Sequence, residues 1–519
     1  MKHVTSDFKE GEDVVEAVDL KLFADKVTAC WIGKSLGGGL GAPYEGVPYR
    51  LNLTEKELFL DLGPNDDLEL QLLWLICAEK YAGRLTSAHL AEAWREHIKY
   101  GMDEYGVAVR NLRRGLEPPL SGYVDNSSFG DGMGATIRSE IWSCLSPGKP
   151  RQAACFAAQD AMVDHYGDGV WGEMYMAAAG SIAIAVNDPV AALKGALEVI
   201  PADSQVARAV NYVFALHAAE TPAGELRELI LGRFGSHNFT CCYMNIAFLV
   251  AAVLYGQGDF IRTITMCINF GKDTDCTAAG CGALLGLAYG CGIFPARWRE
   301  ALPDRITVSD FLMELEELPK TLSDCTARVI ALAGKISREL RQENRELSFA
   351  YQSPRQDVAQ WLPKSGYLVF NDIDEAEAGR IERELLEAGP GSALYREHRR
   401  EFAGTVLELT PHLREFKPLH LYTFLRTREN HPDGLLMCCS NMGLTLWIDG
   451  RMMLNYHGRE LMIPAFHRTG GGATFGFPFE AERPYLVHIR LLFARRGTRL
   501  VLGAGETRGF YLDDYALEV

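Results

Sequence analysis

The residues with the most to offer chemically sit in two acidic turns about two hundred positions apart. Gly63-Pro64-Asn65-Asp66-Asp67 precedes an apolar helical pattern over residues 68–82, and Gly271-Lys272-Asp273-Thr274-Asp275-Cys276 precedes a small-residue pattern from Ala278. Asp and Asn at a helix start cap free N–H groups and suit the positive end of the helix dipole, so each turn alone has an ordinary structural explanation. Adjacent carboxylates repel, however, and capping does not require a pair. Asp-x-Asp on a turn aims two carboxylates at one point, and four packed together need cations beside them. Hard oxygen ligands of this kind suit Mg²⁺, with Mn²⁺ or Ca²⁺ as alternatives, and the set is large enough for two ions.

A third segment, Gly33 to Gly46, carries Gly37, Gly38, Gly39 and Gly41 and then Glu45. Such glycines let backbone approach either a ligand or a neighbouring helix, and both readings stay open. The phosphate-loop pattern, with Lys-Ser/Thr after the glycines, is missing. His165 follows an amphipathic helix, where a structural role competes with a ligand contact. Arg138 and Glu140 are expected to form a local ion pair, and Glu173 to be either a site residue or a solvated first-turn glutamate.

Residues 14–342 show apolar positions mainly at helical spacing, as in 68–82, 87–98, 151–163, 206–218, 244–255 and 322–340. Runs of small residues at 176–180 and 278–283 allow helices to pack closely in a multi-helix bundle. After a charged stretch beginning at Arg341 the pattern changes to short alternating runs. Strands are predicted over 419–425, 434–439, 443–448, 451–456, 485–493, 498–502 and 510–515, with Asp449-Gly450 as a hairpin turn. The expected organisation is an all-α domain over 14–345, a linker over 346–365 and a smaller all-β sandwich over 366–519. Trp447 is expected in the sandwich core.

The bulk properties bound the function. A chain of 519 residues, 48% hydrophobic and 23% charged, reads as a globular protein of two domains. A formal charge of −16 argues against a nucleic-acid partner. Thirteen cysteines, odd in number and without metal-finger spacing, read as reduced core residues in a cytoplasmic protein. The first fifteen residues lack a signal-peptide apolar region, and the run 174–186 is too short to span a bilayer, so no membrane partner is expected.

Taken in order, Gly33 and Gly37 through Ala42-Pro43-Tyr44-Glu45-Gly46, Asn65-Asp66-Asp67, Gly134-Ala135-Thr136-Ile137-Arg138 and Gly271-Lys272-Asp273-Thr274-Asp275 resemble the ADP-ribosylglycohydrolases. The stretch from Ser146 through Asp160, His165 and Asp168 to Glu173 is similar to that family too, so the resemblance covers about residues 20–340. It implies an orthogonal all-α fold with a two-metal centre, usually two Mg²⁺, that cleaves the bond between ribose C1 and a nitrogen or oxygen substituent. By position Asp66, Asp67, Asp273 and Asp275 would ligate metal, joined by Asn65 and Cys276. Glu45 and Asp67 would be catalytic. Ser128, Phe129, Gly130, Asp131 and His165 would hold the ADP-ribose moiety. An oxocarbenium-like transition state gives carboxylates near C1 a role, and a divalent ion activates water.

The sequence departs from the pattern where the usual Thr before the paired aspartates is Asn65, the usual Thr after Asp-Thr-Asp is Cys276, and an Asp of the glycine segment is Gly38. A sulfur is a poor Mg²⁺ ligand. These changes point to a branch with another ribosyl substrate, such as a nucleoside or a small ribosylated metabolite. Two alternatives stay open: a non-catalytic ligand-binding protein, and a metal-dependent phosphohydrolase with the same ligand set. In the tail, 444–453, Pro464 to Arg468 and 484–491 loosely resemble carbohydrate-binding jelly rolls, which implies a carbohydrate contact there.

Overall fold

The computed structural model describes residues 19–519 apart from 314, 316, 350, 355–357, 458–463 and 467–472; His467 and Arg468 thus lie outside the described residues. They fall into two compact units, one drawn from Met1–Lys99, Leu116–Gly122 and Phe129–Pro354, the other from Tyr100–Gly115, Tyr123–Ser128 and Arg355–Val519.

The first unit is helical. Its central pair is Leu20–Gly41 and Thr274–Tyr289, two helices that run antiparallel in backbone contact. Glycine at every fourth position makes this possible. A Cβ at Gly33 would stand 2.1 Å from the Gly282 carbonyl oxygen, one at Gly37 2.1 Å from that of Ala278, and one at Gly41 2.3 Å from that of Thr274. The glycine segment therefore serves a helix contact at those three positions, one of the two readings open in the sequence. The arrangement also fixes chemistry: antiparallel packing brings the end of the first helix, followed by Glu45, beside the start of the second, where Asp273 and Asp275 lie. Gly282→Ala is expected to lose about 3 kcal/mol, the upper end of overpacking costs, because the new methyl meets rigid backbone at Gly33. Denaturant titration of the variant measures it, and a change under 1 kcal/mol would contradict so close a crossing.

Around this pair pack Asp66–Tyr81, Asp168–Val186, Cys242–Gly256 and Leu322–Gln342, with Pro150–Ala161 against Asp168–Val186; all but Asp168–Val186 lie within one or two residues of the segments expected from periodicity. Asp168–Val186 is longer than the apolar run seen in sequence and is long and apolar enough to cross a membrane, but 78% of that window is buried inside the protein. It is lined with Ala and Gly against its neighbours, the composition of a core helix.

Among the described residues the second unit holds eleven strands: β1 (Lys364–Asn371), β2 (Arg399–Ala403), β3 (Leu407–Glu408), β4 (Lys417–Thr427), β5 (Gly434–Ser440), β6 (Leu444–Ile448), β7 (Arg451–Tyr456), β8 (Thr474–Gly476), β9 (Tyr485–Ala494), β10 (Arg499–Glu506) and β11 (Tyr515–Glu518). A seven-stranded sheet runs β2-β1-β4-β9-β6-β7 with β11 also on β4, and a four-stranded sheet runs β3-β10-β5-β8. All the pairings are antiparallel. Leu421, Leu446 and Ile489 of the larger sheet share one core with Leu436, Leu500 and Leu502 of the smaller, so the two form a sandwich.

Asp449 and Gly450 both have positive φ, 49° and 78°, as a type I′ hairpin between β6 and β7 requires. The last strand begins at Tyr515, not at 510, and a helix, Glu375–Ala388, covers the outer face of the larger sheet through Ile381 and Leu385. Trp447 is a correction. It alternates with the core residues Leu446 and Ile448 and so projects from the outer face, stacking on His488 at 4.7 Å with the Arg490 guanidinium 5.3 Å from its ring. Segments 100–115 and 123–128 also join this unit, where Asp125 binds Arg110 at 2.7 Å and the Thr405 amide at 2.8 Å.

Candidate metal centre

Three chain segments meet at one end of the central helix pair. Gly46 N–H donates to the Lys272 carbonyl and Lys272 N–H to that of Val47, each at 2.8 Å, while the Thr274 hydroxyl donates to the Gly41 carbonyl at 2.8 Å. The third segment joins through Asp61 N–H, which donates to the Gly39 carbonyl at 2.8 Å just before the Asp66–Tyr81 helix. These backbone ties draw the two acidic turns together. The Cys276 thiol lies 3.7 Å from Asp67 Oδ1, and Asp273, Asp275 and Cys276 can offer ligand atoms within 4.8 Å of one another.

The charge state carries the mark of this crowding. Burial, then the negative charge of Asp67 and Asp275, pushes Asp66 up to about 8. Burial raises Asp67 to about 7 although Lys34 pulls it back. Asp275 rises to about 6 through burial and Glu45, and Asp273 goes well above the carboxylate range through burial, Asp275 and Glu45. Glu45, exposed at the end of its turn, is therefore close enough to act on both aspartates of the second cluster. Both oxygens of Asp273, Asp67 Oδ2 and Asp275 Oδ1 are buried without a hydrogen-bond partner among the described residues. Buried carboxylate oxygens in that condition are costly unless a cation meets them, so the donor set fits one or two hard divalent ions.

Asn65 and Cys276 behave differently from the four aspartates. Asn65 Oδ1 accepts the Asp67 N–H at 2.7 Å and so caps the helix, as its type allows. Burial and the surrounding carboxylates push the Cys276 thiol well up, and its Sγ lies 3.7 Å from Asp67 Oδ1.

Lys34 is the member that sequence reasoning missed. It is fully buried, 2.9 Å from Glu140 Oε1 and 3.7 Å from Asp67 Oδ2, and Glu140 Oε2 accepts from Gln71 Nε2 at 3.0 Å. Burial opposes its charge, but Glu140 and Asp67 outweigh burial and hold the ammonium protonated. A lone lysine among Trp31, Ile32, Gly33, Leu36 and Gly37 was the available signal, since a buried cation needs an anion. Lys34→Met is expected to destabilise the fold by about 3–5 kcal/mol because it strands Glu140, a loss that urea denaturation would register. A wild-type midpoint would show the pair to be dispensable.

The remaining expected residues sit apart in their contacts. Ser128 belongs to the second unit and Phe129, Gly130 and Asp131 to the first. Phe129 and Gly130 are buried, Gly130 O accepts from Tyr166 N–H at 3.1 Å, and Asp131 O from Cys242 N–H at 2.8 Å. His165 is fully buried, with Nδ1 2.9 Å from Asp164 and Nε2 3.3 Å from the Ala135 N–H, so both ring nitrogens are engaged inside the protein. Arg138, expected to pair with Glu140, is turned elsewhere. It binds Asp160 at 3.0 Å and Asp164 at 2.6 Å. Glu173 is not solvated either: it is buried and accepts from Trp142 Nε1 at 2.9 Å. Residues two apart on a helical path do not face each other, which leaves Arg138 to the carboxylates of Asp160 and Asp164.

No curated protein matches the chain. A solved structure titled "ADP-ribosylglycohydrolase-related protein complex" is 20% identical, is covered over 99% of its length by 61% of this chain, and superposes with a TM-score of 0.42. The model of the ADP-ribosylglycohydrolase family matches residues 19–333, a span that takes in the glycine seam, Glu45 and both acidic turns. With more than half of its length so matched, this chain belongs to the ADP-ribosylglycohydrolase family.

Proposed function

We propose that the chain is a divalent-metal-dependent hydrolase of a ribosyl N- or O-glycosidic bond, acting on an ADP-ribosylated substrate, an ADP-ribose derivative or a nucleoside-like metabolite. The observation that supports this most is the group of buried oxygens on Asp67, Asp273 and Asp275 that have no hydrogen-bond partner among the described residues. Asp66, Asp67, Asp273 and Asp275 are the ligands we assign, to two Mg²⁺ or to Mn²⁺ or Ca²⁺. When bound, the ions supply Lewis acidity and orientation for ribose hydroxyls.

The chain's own residues supply the rest. Glu45 places a carboxylate beside the second cluster, where it takes or returns a proton and offsets positive charge developing at ribose C1. Asp67, on the first acidic turn opposite Glu45, is assigned as the second catalytic carboxylate. Ser128, Phe129, Gly130 and Asp131 are assigned to holding the substrate. His165, with both nitrogens occupied, is assigned a positioning role on the 134–138 segment through Ala135. The thirteen free cysteines favour a reducing compartment, and we place the protein in the cytoplasm.

The test is product analysis on ADP-ribosylated protein, ADP-ribose derivatives and nucleosides with Mg²⁺ and with chelator. Release of the free ribosyl sugar, abolished by chelation, is expected; release of phosphate alone would overturn the reading. A second reading, ligand binding without turnover, draws on the internal engagement of Asn65 and Cys276. Binding without any product across that panel would favour it.

A further inference from the structure

β4 and β9 fall out of step where β4 begins and β9 ends. Lys417 pairs with Ala494 and Leu419 with Leu491, so one residue of β4, Pro418, faces two of β9, Leu492 and Phe493. Such a bulge breaks the alternation of a strand and re-aims its side chains. Leu491 and Ala494 on either side belong to the sandwich core, whereas Leu492 and Phe493 are 46% and 65% exposed. Phe416 lies against the bulge, its N–H donating to the Ala494 carbonyl at 2.7 Å, and is 66% exposed. Its φ of 62° is in the left-handed region, a costly conformation for a bulky residue, with no buried packing of the ring to offset it. Backbone irregularity on both strands thus holds three large apolar side chains outward at one end of the sandwich.

The charges around them are one-sided. Arg414, Arg495 and Arg496 are exposed, and none of the three is in an ion pair among the described residues. Lys417 differs, held by Asp372 at 3.1 Å. Within 414–417 and 492–497 the one carboxylate is Glu415. Glu408 is near through Thr410, whose hydroxyl accepts the Gly497 N–H at 2.8 Å, but it already accepts from the Thr410 amide at 3.1 Å. Stable attachment to a bilayer takes two signals, apolar side chains that enter the acyl boundary and cations that meet anionic headgroups. This end of the sandwich has both. An acidic peptide would satisfy the arginines and leave the two phenylalanine rings uncovered. The chain as a whole carries −16, so an anionic surface repels the rest of it and turns this end toward the lipid.

We propose that this end of the sandwich docks on an anionic lipid bilayer, with Phe416, Leu492 and Phe493 in the interface and Arg414, Arg495 and Arg496 on the headgroup phosphates. Such a contact needs no spanning segment, and it is independent of the hydrolase reading.

Cosedimentation of the full chain with vesicles, without added divalent ions, tests this. Vesicles of phosphatidylcholine with about 30% phosphatidylserine are expected to bind the chain, and pure phosphatidylcholine at least about ten-fold less. Arg495→Ala combined with Arg496→Ala should weaken binding about 25-fold, about five-fold for each cation removed. Phe493→Ser should weaken it at least about ten-fold with Tm unchanged. Phe416→Gly should do the same with Tm unchanged or higher, since glycine accepts the left-handed backbone. In the native chain, raising the salt from about 0.1 M to about 0.5 M should weaken binding as well. No binding to the charged vesicles, equal binding to both lipids, or an affinity unmoved by these substitutions or by salt would each overturn the proposal. So would self-association, or capture of polyglutamate, that depends on the same residues in a chain that leaves vesicles alone.

Discussion

Asp273→Ala is expected to remove at least about 10³-fold of the proposed hydrolytic rate while making the metal-free protein more stable, not less. The two halves of this result come from one fact. Asp273 is fully buried, both of its oxygens lack a hydrogen-bond partner among the described residues, and Asp275 and Glu45 repel it. Without an ion the side chain is a burden on the fold, and its removal relieves that burden. With an ion it is a ligand, and loss of a direct ligand exceeds the 10–100-fold typical of an outer-shell partner. Rate assays and calorimetry with and without Mg²⁺ measure both halves. A folded variant with full activity would remove Asp273 from the centre, and a destabilised metal-free variant would show that it has a structural partner.

The second large effect is a reversal of pH dependence by metal. In the metal-free chain Asp66, Asp67 and Asp275 are raised to about 8, 7 and 6. Unfolded aspartates titrate near about 3.9. The folded state therefore binds more protons than the unfolded state between those limits. The stability tied to these protons is fully present below about pH 4 and is lost as pH rises through about 6 to 8. Ions displace the protons, so metal affinity climbs with pH, by up to about ten-fold per unit for each proton released. The Tm difference between Mg²⁺-loaded and metal-free protein is expected to be small at pH 5 and large at pH 8. Equal differences at the two values would mean that the carboxylates are already ionised without metal.

The residues that made the fold legible were those whose neighbours are local in sequence. Helices such as Pro150–Ala161 and Leu322–Gln342 follow from apolar spacing, and the β6–β7 hairpin follows from Asp449-Gly450. The acidic turns were legible too, because two carboxylates in one turn carry a cost that capping leaves unexplained. What escaped depended on distant partners. Lys34 looked like one polar residue in an apolar helix, and its role exists only because Glu140, 106 positions later, packs against it. Arg138 had Glu140 nearby in sequence, yet Asp160 and Asp164 outcompete it through geometry that no local pattern encodes. Trp447 was misplaced because alternation defines two faces without saying which is inward. The short strands β2, β3 and β8 carry too few residues to show a period.

The glycine seam between Leu20–Gly41 and Thr274–Tyr289 also bears on how the protein is made. The Thr274–Gly41 hydrogen bond closes over 233 residues, so during synthesis the first helix waits, its bare stripe uncovered, until the second has left the ribosome. Any capture of a cation by both acidic turns would consequently come late, in one step. A nascent chain stopped before residue 273 has half of the four aspartates and nothing to clasp them against, and it presents a flat, sticky helix face to whatever chaperone is at hand.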